Sequence, residues 1–153
     1  MSLSFESELR VAAPPSSVFS ALADLDQWPR WMPGLVAVER LTPGSGLPAG
    51  TKFRETRKMF GREASEVFEV VSSAPPHALT LHVDGTQGSS RSGQYRFEYR
   101  LEPDAGATRV HFAARVEGLG WFSRLFGKAF LGLLRKGCER DLQALAGHLE
   151  RPA

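Results

Sequence analysis

Three charged side chains and a tyrosine are the residues of this chain best suited to acid/base chemistry: Glu55, Arg57, Glu66 and Tyr95. A tight turn at Phe60-Gly61 joins two alternating segments, 51–60 and 62–72, as a hairpin. That register sets Met59 opposite Arg62, Phe53 opposite Phe68 and Glu55 opposite Glu66, with Arg57 diagonal to Glu66. Phe53, Phe68 and Val70 share the face of the two glutamates, so that face is the inward one. Facing carboxylates repel unless a cation or a shared proton relieves them, and such pairs are candidates for proton transfer. Two readings stand: the set acts as acid and base, or Arg57 neutralises both glutamates as part of the sheet. Tyr95 and Tyr99 share an inward face with Phe97 and Leu101, each offering an apolar ring and one hydrogen-bonding tip. Each phenol either meets a ligand or reaches a carbonyl of the core.

Other chemistries find less support. His82 and His111 alternate with apolar neighbours and so belong to the outer face, in water. His77 follows a double proline in a turn, and His148 near the end of the last helix suits the helix dipole. No His-x-His or His-Glu-x-x-His spacing occurs, so neither a metal site nor a cofactor is expected. Gly44-x-Gly46 lacks both the lysine of a phosphate loop and the spacing of a dinucleotide fold. Cys138 lies between Leu134 and Leu142 on an apolar stripe, the place of a small buried hydrophobe more than of a nucleophile. Ser89, Ser90 and Ser92 have no glycine elbow around them and read as loop.

Aromatic residues point instead to binding. In Gln27-Trp28-Pro29-Arg30-Trp31-Met32-Pro33, two tryptophans three positions apart on a one-turn helix share a face, which suits one wall of an apolar cavity. The stretch 121–130 mixes aromatics with cations; it reads as a cavity lid or as core packing in preference to a membrane-interface helix. With 153 residues, 42% hydrophobic and 24% charged, the chain fits one globular domain over 1–153. A net charge of +2, dispersed, gives no nucleic-acid footprint. The one cysteine excludes an internal disulfide and suits a reducing cytoplasm, where the chain is expected. No apolar run reaches the roughly 20 residues of a membrane span, so no stable membrane insertion is expected. A monomer or a homodimer is the expected state.

Elements must position these residues. Pro14 and Pro15 break a first strand at 5–11, and Ser16 or Ser17 caps a helix carrying Val18, Phe19, Leu22 and Leu25, which Asp24 and Asp26 end. Period-two segments follow at 35–41, 51–60, 62–72, 79–84, 94–101 and 108–117, separated by Gly, Pro and Asp turns. The segment 121–149 keeps three/four apolar spacing for most of its length and reads as one long helix. Gly127, Gly132 and Gly137 within it permit bending or close contact.

The order of these elements, together with Trp28-Pro29-x-Trp31-x-Pro33, Gly50-Thr51-x-Phe53, the Pro75-Pro76 break and the apolar last helix, resembles the START-like helix-grip superfamily, SRPBCC. Within it the chain is most similar to the polyketide cyclase/dehydrase and lipid-transport group. The resemblance covers nearly the whole chain. It implies an α+β fold: a curved antiparallel sheet of about seven strands wrapped around the long C-terminal helix, two short helices after the first strand, and an apolar cavity between sheet and helix. It implies binding or transport of a hydrophobic small molecule, lipid-like or aromatic polyketide-like. Trp28, Trp31, Phe53, Phe68, Leu81, Tyr95, Phe97, Tyr99, Phe112, Phe126 and Phe130 would line the site, with Glu55, Arg57 and Glu66 as polar anchors. The alternative is an aromatase/cyclase or dehydratase using Glu55, Glu66, Tyr95 and Arg57. A third reading, a protein-interaction module, would need large exposed apolar patches.

Overall fold

Alternating side chains become seven antiparallel strands in the computed structural model, which describes residues 2–59 and 61–151. In chain order these are β1 (Leu3–Val11), α1 (Pro15–Ala23), a short 3-10 helix (Leu25–Arg30), β2 (Leu35–Arg40), β3 (Lys52–Met59), β4 (Arg62–Ala74), β5 (Ala78–Asp84), a 3-10 turn (Gly85–Gln87), β6 (Gln94–Asp104), β7 (Ala107–Glu117) and α2 (Phe122–Glu150). Five strands from β3 to β7 follow one another through the sheet as neighbours, and β1 closes it beside β7, giving the order β1-β7-β6-β5-β4-β3-β2. β1 and β2 therefore occupy opposite edges. The α1 and 3-10 segment carries the chain from one edge to the other across one end of the sheet.

One face of the sheet is apolar along every strand, as period-two patterning demands. Phe5, Phe53, Val70, Leu79, Leu81, Val83, Tyr95, Leu101, Phe112 and Val116 are all buried on it. The β3–β4 register is the expected one, with Phe53 opposite Phe68, Glu55 opposite Glu66 and Met59 opposite Arg62. Gly61 takes a left-handed φ of 77° at the hairpin tip; Phe60, the other half of the expected turn, lies outside the described residues. In β2 the register slips between Leu35, opposite Arg57, and Ala37, opposite Thr56, so Val36 bulges out and is exposed.

Helix α1 starts two to three residues earlier than the serines suggest. Pro14 occupies the N-cap, no side chain caps the helix, and Pro15 takes the first turn. The reason is that Pro15 has no N–H to satisfy there and a φ already set for a helix, so Ser16 and Ser17 fall inside it. Helix α2 docks on β1 through polar contacts: the Ser7 hydroxyl donates to Glu139 at 2.8 Å, and the Ala12 N–H to Glu150 at 2.8 Å. Arg135 reaches the Glu6 carbonyl and covers the Phe5 ring. Leu142, Leu145 and Ala146 are buried beneath its last turns.

Candidate functional site

Strands β3, β4, β6 and β7 put rings onto the same face of the sheet, and the rings form a row across it, with β5 contributing Leu81 between Phe68 and Phe97. Phe53 stacks on Phe68 with centroids 5.1 Å apart, Phe68 on Phe97 at 6.2 Å, and Phe97 on Phe112 at 6.1 Å. Tyr99 meets Phe112 edge-on at 5.0 Å, and Tyr95 meets Phe130 of α2 at 6.4 Å. Trp28 stands perpendicular to Phe53 at 5.3 Å and donates its indole N–H to the Leu22 carbonyl. The sequence-selected aromatics thus divide by burial. Trp28, Phe53, Leu81, Tyr95 and Phe112 belong to the floor and are buried. Trp31, Phe68, Phe97, Tyr99 and Phe130 are half-buried beside Met32, Leu131, Leu134 and Cys138; two open clefts of the structure lie elsewhere, one between α1 and the end of α2 and one between α1 and residues 45–49. Phe126 is 51% exposed and Trp121 71%, so these members of the expected lid keep most of their surface in solvent. The side chains of Phe122 and Ser123 lie outside the described residues.

Among these rings sits an ion cluster. The Arg57 guanidinium donates Nε–H to Glu55 at 2.5 Å and both terminal nitrogens to Asp141 of α2, at 2.9 and 2.8 Å. Met32 Sδ lies 2.8 Å from one of those nitrogens. Side-chain accessibilities of 11%, 21% and 22% for Glu55, Arg57 and Asp141 mark the cluster as largely enclosed. Burial pushes the Glu55 carboxyl above the usual carboxylate range, with Arg57 pulling against it, and does the same to Asp141. Burial works against the charge of Arg57, but the hydrogen bonds and charges of its two partners outweigh it and hold the guanidinium firmly protonated. Two carboxyls are bonded to one guanidinium, so its single charge is divided between them. Nearby, burial pushes the Tyr99 phenol far up, and the Cys138 thiol up to about 12, with Asp141 adding to both. Cys138 is therefore a neutral thiol at physiological pH.

Glu66 has different partners from those the hairpin geometry implies. Arg57 does not hold both glutamates, because its fork is taken by Glu55 and by Asp141. Glu66 Oε1 instead accepts from the Ser90 N–H at 2.7 Å and from the Ser90 hydroxyl at 2.5 Å. Burial suppresses ionisation of the Tyr95 phenol, with neighbouring Ser90 pulling against it. Ser89 pairs its backbone N–H and its hydroxyl with the Ser65 backbone at 2.9 and 2.8 Å. The serine-rich stretch is thus a strap folded onto β4, and not free loop. Gly88 permits this, since a β-carbon there would run into the Glu66 carboxylate and the Ser65 carbonyl. Two buried polar atoms have no protein partner at the site: Trp31 Nε1 and Glu66 Oε2.

Asp141 and Ser90 are the site residues that sequence reasoning passes over. Asp141 was detectable: positions 134, 138, 141 and 145 fall on one helical face, and an acid on an apolar stripe demands an inward partner. Ser90 gives no comparable signal, because its contact depends on how a glycine-rich connection folds. His82 and His111 do lie on the outer face, yet they are half-buried; His82 Nε2 meets Gln94 at 2.8 Å, and His111 lies 3.3 Å from both Glu8 and Glu102. Among the described residues no group of His, Cys, Asp and Glu gathers as a metal site would.

The family model described as polyketide cyclase / dehydrase and lipid transport matches residues 2–151. No curated protein matches the chain. Several solved structures share its fold. The Zhui aromatase/cyclase from a Streptomyces species is 19% identical, with 99% of this chain and 95% of that chain covered at a TM-score of 0.77. A START superfamily protein from Mycobacterium smegmatis is 19% identical, covering 96% and 97% at 0.78. A ginseng major latex-like protein from Panax ginseng is 11% identical, covering 98% and 99% at 0.75. At these identities the likeness is one of fold.

Proposed function

The chain belongs to the polyketide cyclase / dehydrase and lipid transport family, and from that premise we propose that it binds a hydrophobic small molecule carrying a few polar groups between the sheet and α2. One observation carries the reading: the inward face of the sheet sets the half-buried rings of Phe68, Phe97 and Tyr99 beside a largely enclosed Arg57 cluster. Apolar walls with a few fixed polar groups are what a small-molecule site requires. Trp31 Nε1 supplies a donor that no protein acceptor occupies, and the Arg57–Glu55–Asp141 set a polar anchor. A flat aromatic or lipid-like body fits the stacked rings.

The test is saturable binding of an apolar fluorescent probe such as anilinonaphthalene sulfonate, compared with a Leu134→Trp variant that fills the space between helix and sheet. Binding by the wild type and at least tenfold weaker binding by a folded variant support the site. Equal binding by both would remove it.

A second reading, catalysis of cyclisation or dehydration, is favoured by the placing of two enclosed carboxyls, Glu55 and Asp141, on one guanidinium, with burial pushing both above the usual carboxylate range as a general acid or base requires. In that case Glu55 or Asp141 moves the proton while Arg57 steadies the negative charge, and the rings hold a flexible chain in the reactive shape. Glu66, bonded to Ser90 and close enough to act on the Tyr95 phenol, is the other acid/base candidate. Glu66→Gln that leaves probe affinity intact and abolishes turnover of a poly-ketone substrate would assign it a catalytic role; unchanged turnover would leave it the strap's anchor.

A further inference from the structure

We propose that the first half of α2 is a docking surface for an anionic lipid membrane. The inward side of this segment already packs Phe130, Leu131, Leu134 and Cys138 against the sheet. A core-covering helix needs no second apolar face. Yet the outward side presents Trp121 at 71% exposure, Leu125 at 67%, Phe126 at 51% and Leu133 at 57%. Leu125, Ala129 and Leu133 recur every four residues, a continuous stripe and not scattered singles.

Charge selects the occupant. Residues 118–138 contain Arg124, Lys128, Arg135 and Lys136 and no acid at all. Arg135 is turned to the Glu6 carbonyl, whereas Arg124, Lys128 and Lys136 flank the stripe in solvent. By topology, the tip of the β3–β4 hairpin and the β5–β6 connection lie at the same end of the sheet as the start of α2, and they add exposed Lys58, Arg62 and Arg91. The acids at that end are Glu63, opposite Lys58; Glu66, taken by Ser90; Asp84, which accepts from Thr86 and Gln94; and Glu117, which bonds Arg115. A tryptophan and large aliphatic side chains between cations are what the interface of an anionic bilayer accepts. Among the described residues no helix is long and apolar enough to cross a membrane, so α2 lies on the surface. This docking is separate from ligand binding: vesicle attachment is read whether or not the cavity takes a molecule.

The experiment is co-sedimentation of the full chain with phosphatidylcholine vesicles and with vesicles containing added phosphatidylglycerol. Binding to the second set, several-fold weaker on the first and reduced by raised salt, is expected. Leu125→Ser should weaken it about tenfold, as loss of one buried large side chain implies, and Lys128→Glu about fivefold. Circular dichroism keeps these surface variants interpretable. No sedimentation with anionic vesicles overturns the proposal, as does binding that neither substitution alters. Self-association of the chain that Leu125→Ser abolishes would assign the face to a second copy and overturn it equally.

Discussion

Arg57 serves two carboxylates at once, Glu55 on its own strand and Asp141 on the helix. Burial raises both carboxyls above their unfolded values. The sign follows: a raised group contributes stability that is fully present below its unfolded pKa and is lost as pH rises through the folded one. Arg57 offsets that loss in the native protein. Arg57→Leu is therefore expected to cost about 3–5 kcal/mol near neutral pH, where it strands buried charge, and markedly less near pH 4, once the carboxyls hold their protons. Urea unfolding at the two pH values measures it, and an equal cost at both would refute the coupling. The facing of Glu55 and Glu66 was legible because a one-residue slip would have sent Phe53 and Phe68 to water. The partition of Arg57 was not, because it depends on how α2 is turned over the sheet. That rotation is set by Ser7, Ala12 and Phe5 on β1, far away in sequence from Arg57.

Helix α2 carries glycines that its packing does not require. A β-carbon at Gly132 or Gly137 would meet no atom within 4 Å, so close approach is not their purpose at these two positions. Gly132→Ala should then stabilise the protein by about 1 kcal/mol, a rise in Tm of roughly 2–4 °C for a domain of this size. Calorimetry decides, and a fall in Tm would mean that the backbone freedom of Gly132 is itself needed by the fold. Strand positions were readable from alternation alone, since each strand has one buried face. Ends were less so: β4 runs to Ala74 and β6 to Asp104, beyond the expected 72 and 101, because backbone pairing continues after the apolar pattern has stopped.

The molecule as a whole is an antiparallel sheet with helices at one end and along one face, and the family resemblance anticipated that architecture because few arrangements cover such a sheet with a single long helix. What no local pattern conveyed is that β1 and β2, separated by only one helical segment, stand at opposite margins. An open sheet has two such margins, and rows of unused N–H and C=O groups are templates on which further chains can grow. The slip at Val36 bears on this. It twists the β2 margin and interrupts its ladder, while Glu39 and Arg40 charge what remains. Deleting Val36 would bring Leu35 and Ala37 into unbroken register with Arg57 and Thr56, leaving a straight margin open to another copy. Light scattering at rising concentration should then show the variant assembling into fibrils while the wild type does not; a variant as quiet as the wild type would show that the bulge has no such protective role. A protective bulge would make a single extra residue at a sheet margin the limit on how concentrated the protein can become before it turns into a fibre.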